Sequence, residues 1–344
     1  MTVEHDWGVQ RDALLGQRIS DLSLAIRGTR VERLVAQLYG ELDHAGLRYR
    51  PGVYLSDQWG CPDGTPLIGV PFYLADERLE RIEAEMSLSV ESDDDAMRYM
   101  RHEAGHAFNY AFRLHERPEW QETFGAFRKP YRDRYRADPF SRDYVRHILT
   151  WYAQKHPDED FAETFAVWLT PGFDWRAEYA DWPALRKLEY VDAVMREIAS
   201  LQLEPAAPTE DDLPVDAMRY TVAEHYASER DQIPVADERI FDADLRQIFF
   251  TSSAAPSGAA AGDFLREHSR EVVTRTAYWT SEHPSAVHSL MDLLARRADA
   301  LGLRVGRVEA ATLIELTSFA TAVVMMHRYT HIMGRPRVRR SGTR

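Results

Sequence analysis

The stretch MRYMRHEAGHAFNYAFRL, residues 97–114, sets His102, Glu103 and His106 in an HExxH pattern. On a helix, residues four apart project from one face, so two imidazoles in this spacing can bite a single metal ion. Imidazole suits zinc, and a third protein ligand would leave an open position for water, whose pKa the metal lowers to about 7. Glu103, one residue after the first histidine, is placed to take that water's proton. Met97, Met100, Phe108 and Phe112 surround the motif with apolar groups, and a semi-buried histidine pair beside a glutamate calls for a shared partner. The helix is expected to open at Ser92 and Asp93-Asp94-Asp95, which cap free N–H groups and oppose the helix dipole, and to run to about Leu114 before Pro118.

About fifty residues on comes HPDEDFAETFAVWL, residues 156–169. Pro157 suits a first helical turn, the acids 158–160 suit its positive end, and Glu159 and Glu163 fall one turn apart on one face. Either could complete the metal site. A ligating histidine generally has its second ring nitrogen held by an acceptor, so the natural division makes Glu159 the ligand and Glu163 the partner of His102. Helical spacing alone also permits the reverse.

These residues carry a resemblance. HEAGH followed by EDFAETF resembles the gluzincin branch of the zincin metallopeptidases, in which a first acid ligates zinc and a second, four residues later, supports a histidine. The closest likeness is to a bacterial family of zinc-binding metallopeptidases, carried by YLSDQWGCPDGTPLIGVPFYLA, RHEAGHAFNYAFRL and YAQKHPDEDFAETFAVWL and extending over most of residues 30–200. The second element is also similar to that of lethal-factor-type toxin metallopeptidases, where a tyrosine seven residues before the ligand glutamate assists catalysis; Tyr152 holds that place here. The metzincin pattern fails, because Asn109 and Phe112 stand where its glycine and third histidine would be.

Outward from the motif, Val31, Leu34, Val35, Leu38, Tyr39 and Leu42 recur at helical spacing over Arg30 to Gly46. Arg48 to Leu55, Leu67 to Leu74 and Glu85 to Val90 read as strands of a small sheet. Residues 117–141 read as an ordered loop, followed by helices at about 142–154, 158–169 and 183–201. The acidic, proline-rich stretch 204–215 reads as a linker. Beyond it come helical segments near 216–230, 261–279, 284–301 and 308–329, interrupted by the low-complexity loop 251–262. The expected architecture is a mainly helical α+β zincin-like catalytic domain (1–203), the linker (204–215), a helical domain (216–330) and a disordered basic tail (331–344).

Composition bounds the function classes. With 44% hydrophobic and 28% charged residues over 344 positions, the chain has the profile of an ordinary globular protein with room for a sizeable core. Fifty-five acids against 42 cations give a charge of −13, which opposes a broad footprint on nucleic acid or an anionic membrane. Only Lys129, Lys155 and Lys187 are lysines, a scarcity read as genome composition. A single cysteine, Cys61, excludes an internal disulfide and thiolate zinc sites. The N-terminus lacks a signal-peptide pattern and the most apolar stretch, 319–326, is far short of a membrane span, so a cytoplasmic protein without membrane insertion is expected. Trp59, Trp120, Trp151 and Trp168 are candidates to line a cleft, and His147 and His156 are secondary candidates for an oxyanion contact. The expected chemistry is peptide-bond hydrolysis: zinc on His102, His106 and Glu159, Glu103 as general base, Tyr152 supporting the oxyanion, and a peptide or protein as substrate. The alternative is a non-catalytic metal-binding scaffold on the same fold. Oligomeric state is left open.

Overall fold

The computed structural model describes residues 3–333 except 87–89, 133–134, 149–150, 205, 210–211, 229–236, 252–253, 255–256, 281 and 283, with side chains from residue 6 to 327. By its contacts the chain divides into two compact units, Met1–Glu83 with Val90–His225, and Ala84–Ser89 with Tyr226–Arg344. The division falls between His225 and Tyr226, C-terminal to the expected linker. Residues 212–220 stay with the first unit, where Tyr54 donates to the carbonyl of Asp212 and the Ile19 and Ser20 amides bond the carbonyls of Tyr220 and Met218.

After α1 (Val3–Leu15), α2 (Arg30–His44) buries Val31, Leu34, Leu38 and Leu42, the stripe its periodicity predicts. It stops at Gly46, whose φ of +78° suits a residue without a Cβ. Strands β1 (Gly52–Ser56) and β2 (Leu67–Pro71) pair in parallel. The short return between them is possible because the connecting chain doubles back along the far side of β2, where Gly60 and Gly69 exchange both backbone hydrogen bonds. Gly69 is boxed in: a Cβ there would lie 3.2 Å from Gly60 O, Ser56 Cβ and the Tyr54 hydroxyl.

The third expected strand, Glu85 to Val90, is a correction. Glu85 and Met86 end helix α3 (Glu77–Met86), in which Leu79, Ile82 and Glu83 form a buried stripe at helical spacing, and 87–89 lie outside the described residues. Helix α4 (Asp93–Ala111) starts where expected, with the Ser92 hydroxyl accepting from the Asp95 amide. The expected loop 117–141 contains a short helix, α5 (Pro118–Phe124), led by proline. The expected helix at 142–154 is absent among the described residues there, apart from a 3₁₀ turn at Tyr152–Gln154. Side chains take over its backbone bonds: the Ile148 amide donates to Glu163, the Arg146 amide to the Tyr179 hydroxyl, and Lys187 to the Asp143 carbonyl. Then come α6 (Pro157–Leu169), α7 (Trp175–Glu178) and α8 (Leu185–Ile198). Of the inter-element contacts, α4 against α6 is the most extensive. Gly105 makes it possible, since a Cβ there would lie 2.7 Å from Ala162 Cα.

Helix α9 (Val222–Ser228) spans the division. The second unit comprises α10 (Asp242–Ile248), α11 (Ala261–Glu267), α12 (Ser269–Thr280), α13 (Pro284–Ala300) and α14 (Glu309–Met333). An antiparallel pair, β3 (Phe250–Thr251) with β4 (Leu303–Arg304), closes on a core that includes Leu245, Leu265, Val272, Leu290, Leu294 and Leu316. The chain is thus mainly helical α+β. By length and composition alone, Glu309–His327 is long and apolar enough to cross a membrane, a longer run than the 319–326 stretch singled out in the sequence. Around 319–326 the helix continues in uncharged residues from Leu316, preceded by alanines and a threonine. In the structure one stripe of this helix, Thr312, Leu316, Ala320 and Val324, is buried. The expected basic tail beyond Met333 lies outside the described residues.

Candidate metal centre

Helices α4 and α6 bring their polar residues together over the Gly105–Ala162 contact. His102 Nε2, His106 Nε2 and Glu159 Oε2 form a triangle with edges of 3.0, 3.1 and 3.1 Å, all three residues buried. Ligands of a tetrahedral zinc with bonds of about 2.0–2.1 Å stand roughly 3.3 Å apart, so the donor set fits such an ion closely. The opposite ring nitrogens are held by carboxylates: Glu163 Oε1 is 2.7 Å from His102 Nδ1, and Asp158 Oδ2 is 3.1 Å from His106 Nδ1, close enough for an ion pair though not aligned for a straight hydrogen bond. With both Nδ1 atoms protonated toward these acceptors, two Nε2 lone pairs and a carboxylate oxygen converge on one point. Such a convergence in a buried place demands a cation.

The charges follow the same geometry. Burial opposes a charged His102, but hydrogen bonds to Glu159 and Glu163 prevail and hold its pKa up to about 9. His106 is likewise raised against burial by Asp158 and Glu159, while the histidines' charge, again against burial, holds Glu159 well below the usual carboxylate range. Glu103 is buried at 7% exposure, and its carboxylate makes no hydrogen bond among the described residues. Burial pushes its pKa up, with His102 and His106 opposing, a direction that favours proton acceptance near neutrality.

Tyr152 also reaches this centre. Its ring lies 5.6 Å from that of His102, and the neighbouring Tyr131 hydroxyl donates to Glu159 Oε1. Lys155 Nζ is 3.3 Å from the Tyr152 hydroxyl and sits over both phenol rings. Burial and the Glu159 charge push both tyrosines' pKa values up, so each remains a neutral donor. The chain enters this turn through Trp151 at φ 58°, a left-handed conformation that is costly for a residue with a Cβ.

Several of these residues carry no signal at the level of spacing. Tyr131 belongs to a segment without a periodic pattern. Asp158, read as a helix-start acid, bonds Asn109 and Tyr110 as well as facing His106; its clue was that Asn109 and Tyr110 follow His106 by one helical turn. Asp160 pairs with buried Lys187 at 2.7 Å, and burial raises its carboxyl to about 7 against the lysine's pull. The secondary candidates serve elsewhere. His156 caps α6 by accepting from the Asp158 amide and donates to the Lys129 carbonyl. His147 donates to the Arg98 carbonyl, and burial lowers its pKa to about 4. Trp120 is core, while Trp59 and Trp168 donate to Glu91 and Asp192.

Residues 76–173, which contain every residue of this centre, match the family model described as "Putative zinc-binding metallo-peptidase". The match is narrower than the 30–200 expected from resemblance. No curated protein and no solved structure matches the chain.

Proposed function

We propose that the first unit is a zinc-dependent peptidase acting on a peptide or protein. The observation that carries this reading is the triangle of His102 Nε2, His106 Nε2 and Glu159 Oε2 beside a buried Glu103 carboxylate that has no hydrogen-bond partner among the described residues. A structural zinc site normally has four protein ligands and no use for such a carboxylate; three ligands and a free base describe a catalytic one.

His102, His106 and Glu159 would hold the metal, with Glu163 and Asp158 fixing the imidazoles. Zinc there would polarise the scissile carbonyl and acidify a water molecule. Glu103 takes the proton of that water and passes it to the leaving amine. Tyr152, whose ring lies beside that of His102, donates its hydroxyl proton toward the developing oxyanion.

The test compares purified protein with its Glu103→Gln variant for zinc content and for cleavage of a broad peptide library. About one zinc per chain in both proteins, with cleavage in the first alone, is the expected result. Zinc loss in Glu103→Gln, or equal cleavage by both, would overturn the assignment of Glu103.

A further inference from the structure

Tyr152 opens a 3₁₀ turn, Tyr152–Gln154, entered through the left-handed backbone of Trp151, and Lys155 closes it with its amide donating to the Tyr152 carbonyl at 2.9 Å. Side chains three residues apart in such a turn eclipse, so the local backbone stacks the lysine on the tyrosine. Lys155 Nζ accordingly stands 3.3 Å from the Tyr152 hydroxyl, 5.0 Å from the centre of that ring and 4.4 Å from the centre of the Tyr131 ring, whose hydroxyl donates to Glu159. An ammonium has three protons to give and no lone pair, so its bond to a phenol runs one way, from nitrogen to oxygen. The Tyr152 oxygen therefore accepts from Lys155, and its single proton is left to point away from the lysine. A cation bonded to the oxygen also polarises the O–H bond and makes it a stronger donor. Positive charge has a use here: the carboxylates of Glu103, Asp158, Glu159 and Glu163 crowd the same centre and oppose any new negative charge.

We propose that Lys155 is a positioning residue for peptide hydrolysis: its ammonium occupies the Tyr152 oxygen as a donor, leaves the phenol proton for the oxyanion and places positive charge behind it. The inference rests on the peptidase reading and adds a residue to it. In this role Lys155 acts through Tyr152 and in the transition state, where the oxyanion develops, so it contributes to turnover and not to the binding of uncleaved peptide.

The experiment uses the full zinc-loaded chain, unmodified and as Lys155→Met, Lys155→Arg, Tyr152→Phe and the variant combining Lys155→Met with Tyr152→Phe. Methionine keeps an unbranched apolar stem without the charge. On a quenched fluorescent peptide taken from a random library for being cleaved, Lys155→Met should lower kcat roughly 10-fold, the loss of one charge-assisted hydrogen bond, with KM within about twofold and zinc content unchanged. Lys155→Arg, which keeps the cation, should retain most of the rate. In the Tyr152→Phe background, where the accepting oxygen is gone, Lys155→Met should change kcat no further. A phosphinic analogue of the same peptide, whose tetrahedral phosphorus carries the charge of the hydrolytic intermediate, should bind Lys155→Met roughly 10-fold more weakly than unmodified protein by calorimetry. A raised KM with kcat intact, losses that multiply in the combined variant, zinc loss in Lys155→Met or an unchanged phosphinic affinity would overturn the inference and leave the peptidase reading standing. An unmodified protein that loads zinc yet cleaves no peptide of the library would defeat the peptidase reading, and the role of Lys155 with it.

Discussion

Replacing Gly105 by alanine tests whether the contact between α4 and α6 sets the metal triangle. The new Cβ would lie 2.7 Å from Ala162 Cα, 3.0 Å from its carbonyl oxygen and 3.2 Å from Phe165 Cβ. Carbon atoms in contact prefer about 3.5–4.0 Å, and the nearest obstacle is backbone, so the helices must part by roughly 0.8 Å or more. His102 and His106 ride on one helix, Glu159 and Glu163 on the other. A metal site tolerates about 0.2 Å, so that shift should lower zinc affinity by roughly 10–100-fold, as the loss of an orienting partner does. Overpacking costs about 1–3 kcal/mol, and alanine's better helix propensity offsets about 1 kcal/mol, leaving the zinc-free fold about 0–2 kcal/mol less stable. Under saturating zinc the weaker binding removes a further ~1.4–2.7 kcal/mol. Competition with a chelator of known affinity, together with thermal unfolding with and without zinc, separates the two contributions. Unchanged zinc affinity in a folded Gly105→Ala protein would refute the argument that helix spacing holds the ligands.

Glu163→Ala should weaken zinc binding or activity by about 10–100-fold, and should also destabilise the fold by about 1–3 kcal/mol because the Ile148 amide loses its acceptor; chelator competition and denaturant unfolding measure the two. Tyr152→Phe should lower kcat by about 10²–10³ with zinc content unchanged, and full activity would remove Tyr152 from the mechanism. Tyr131→Phe should lower zinc affinity, since it removes the hydroxyl that donates to Glu159 Oε1. Zinc must displace the proton that Glu159 and Glu163 hold on His102 up to about pH 9, so apparent zinc affinity should still climb between pH 7 and 9, with proton release visible by calorimetry in two buffers. For zinc-free protein the sign reverses: a raised histidine pKa gives stability that is full below about pH 6.5 and is lost as pH rises through about 9. A zinc affinity flat across that range would contradict the hydrogen bonds assigned to His102.

The legible parts of the fold were those decided locally. Ser92 and the acids after it announce α4, Pro157 announces α6, and the buried stripe of α2 follows its own periodicity. His102, Glu103, His106, Glu159 and Glu163 were legible as a group because each occupies a fixed step on a helix, although spacing alone did not say which glutamate faces the metal. What escaped was decided by partners distant in sequence. The segment 142–154 has helical composition, yet Glu163, Tyr179 and Lys187 claim its backbone groups from elsewhere. Tyr131 reaches Glu159 across twenty-eight positions of irregular chain, a contact no periodicity encodes. The parallel pairing of β1 and β2 depends on Gly60 folding back against Gly69, which alternation of apolar residues cannot reveal.

The scarcity of lysine takes on a practical meaning once the three are located. Lys129 is exposed, Lys155 lies against two phenol rings beside Glu159, and Lys187 is sealed in its pair with Asp160. Among side chains, an amine-reactive dye, crosslinker or coupling resin would therefore find its most open address at Lys129, whose carbonyl is bonded by His156 at the start of the helix that carries Glu159. The same placement makes a lysine-directed protease a convenient mapping tool. Cutting after these residues isolates 130–155, with Tyr131 and Tyr152, from 156–187, with Glu159 and Glu163, so a label or crosslink trapped at the centre can be assigned to one wall or the other by mass alone.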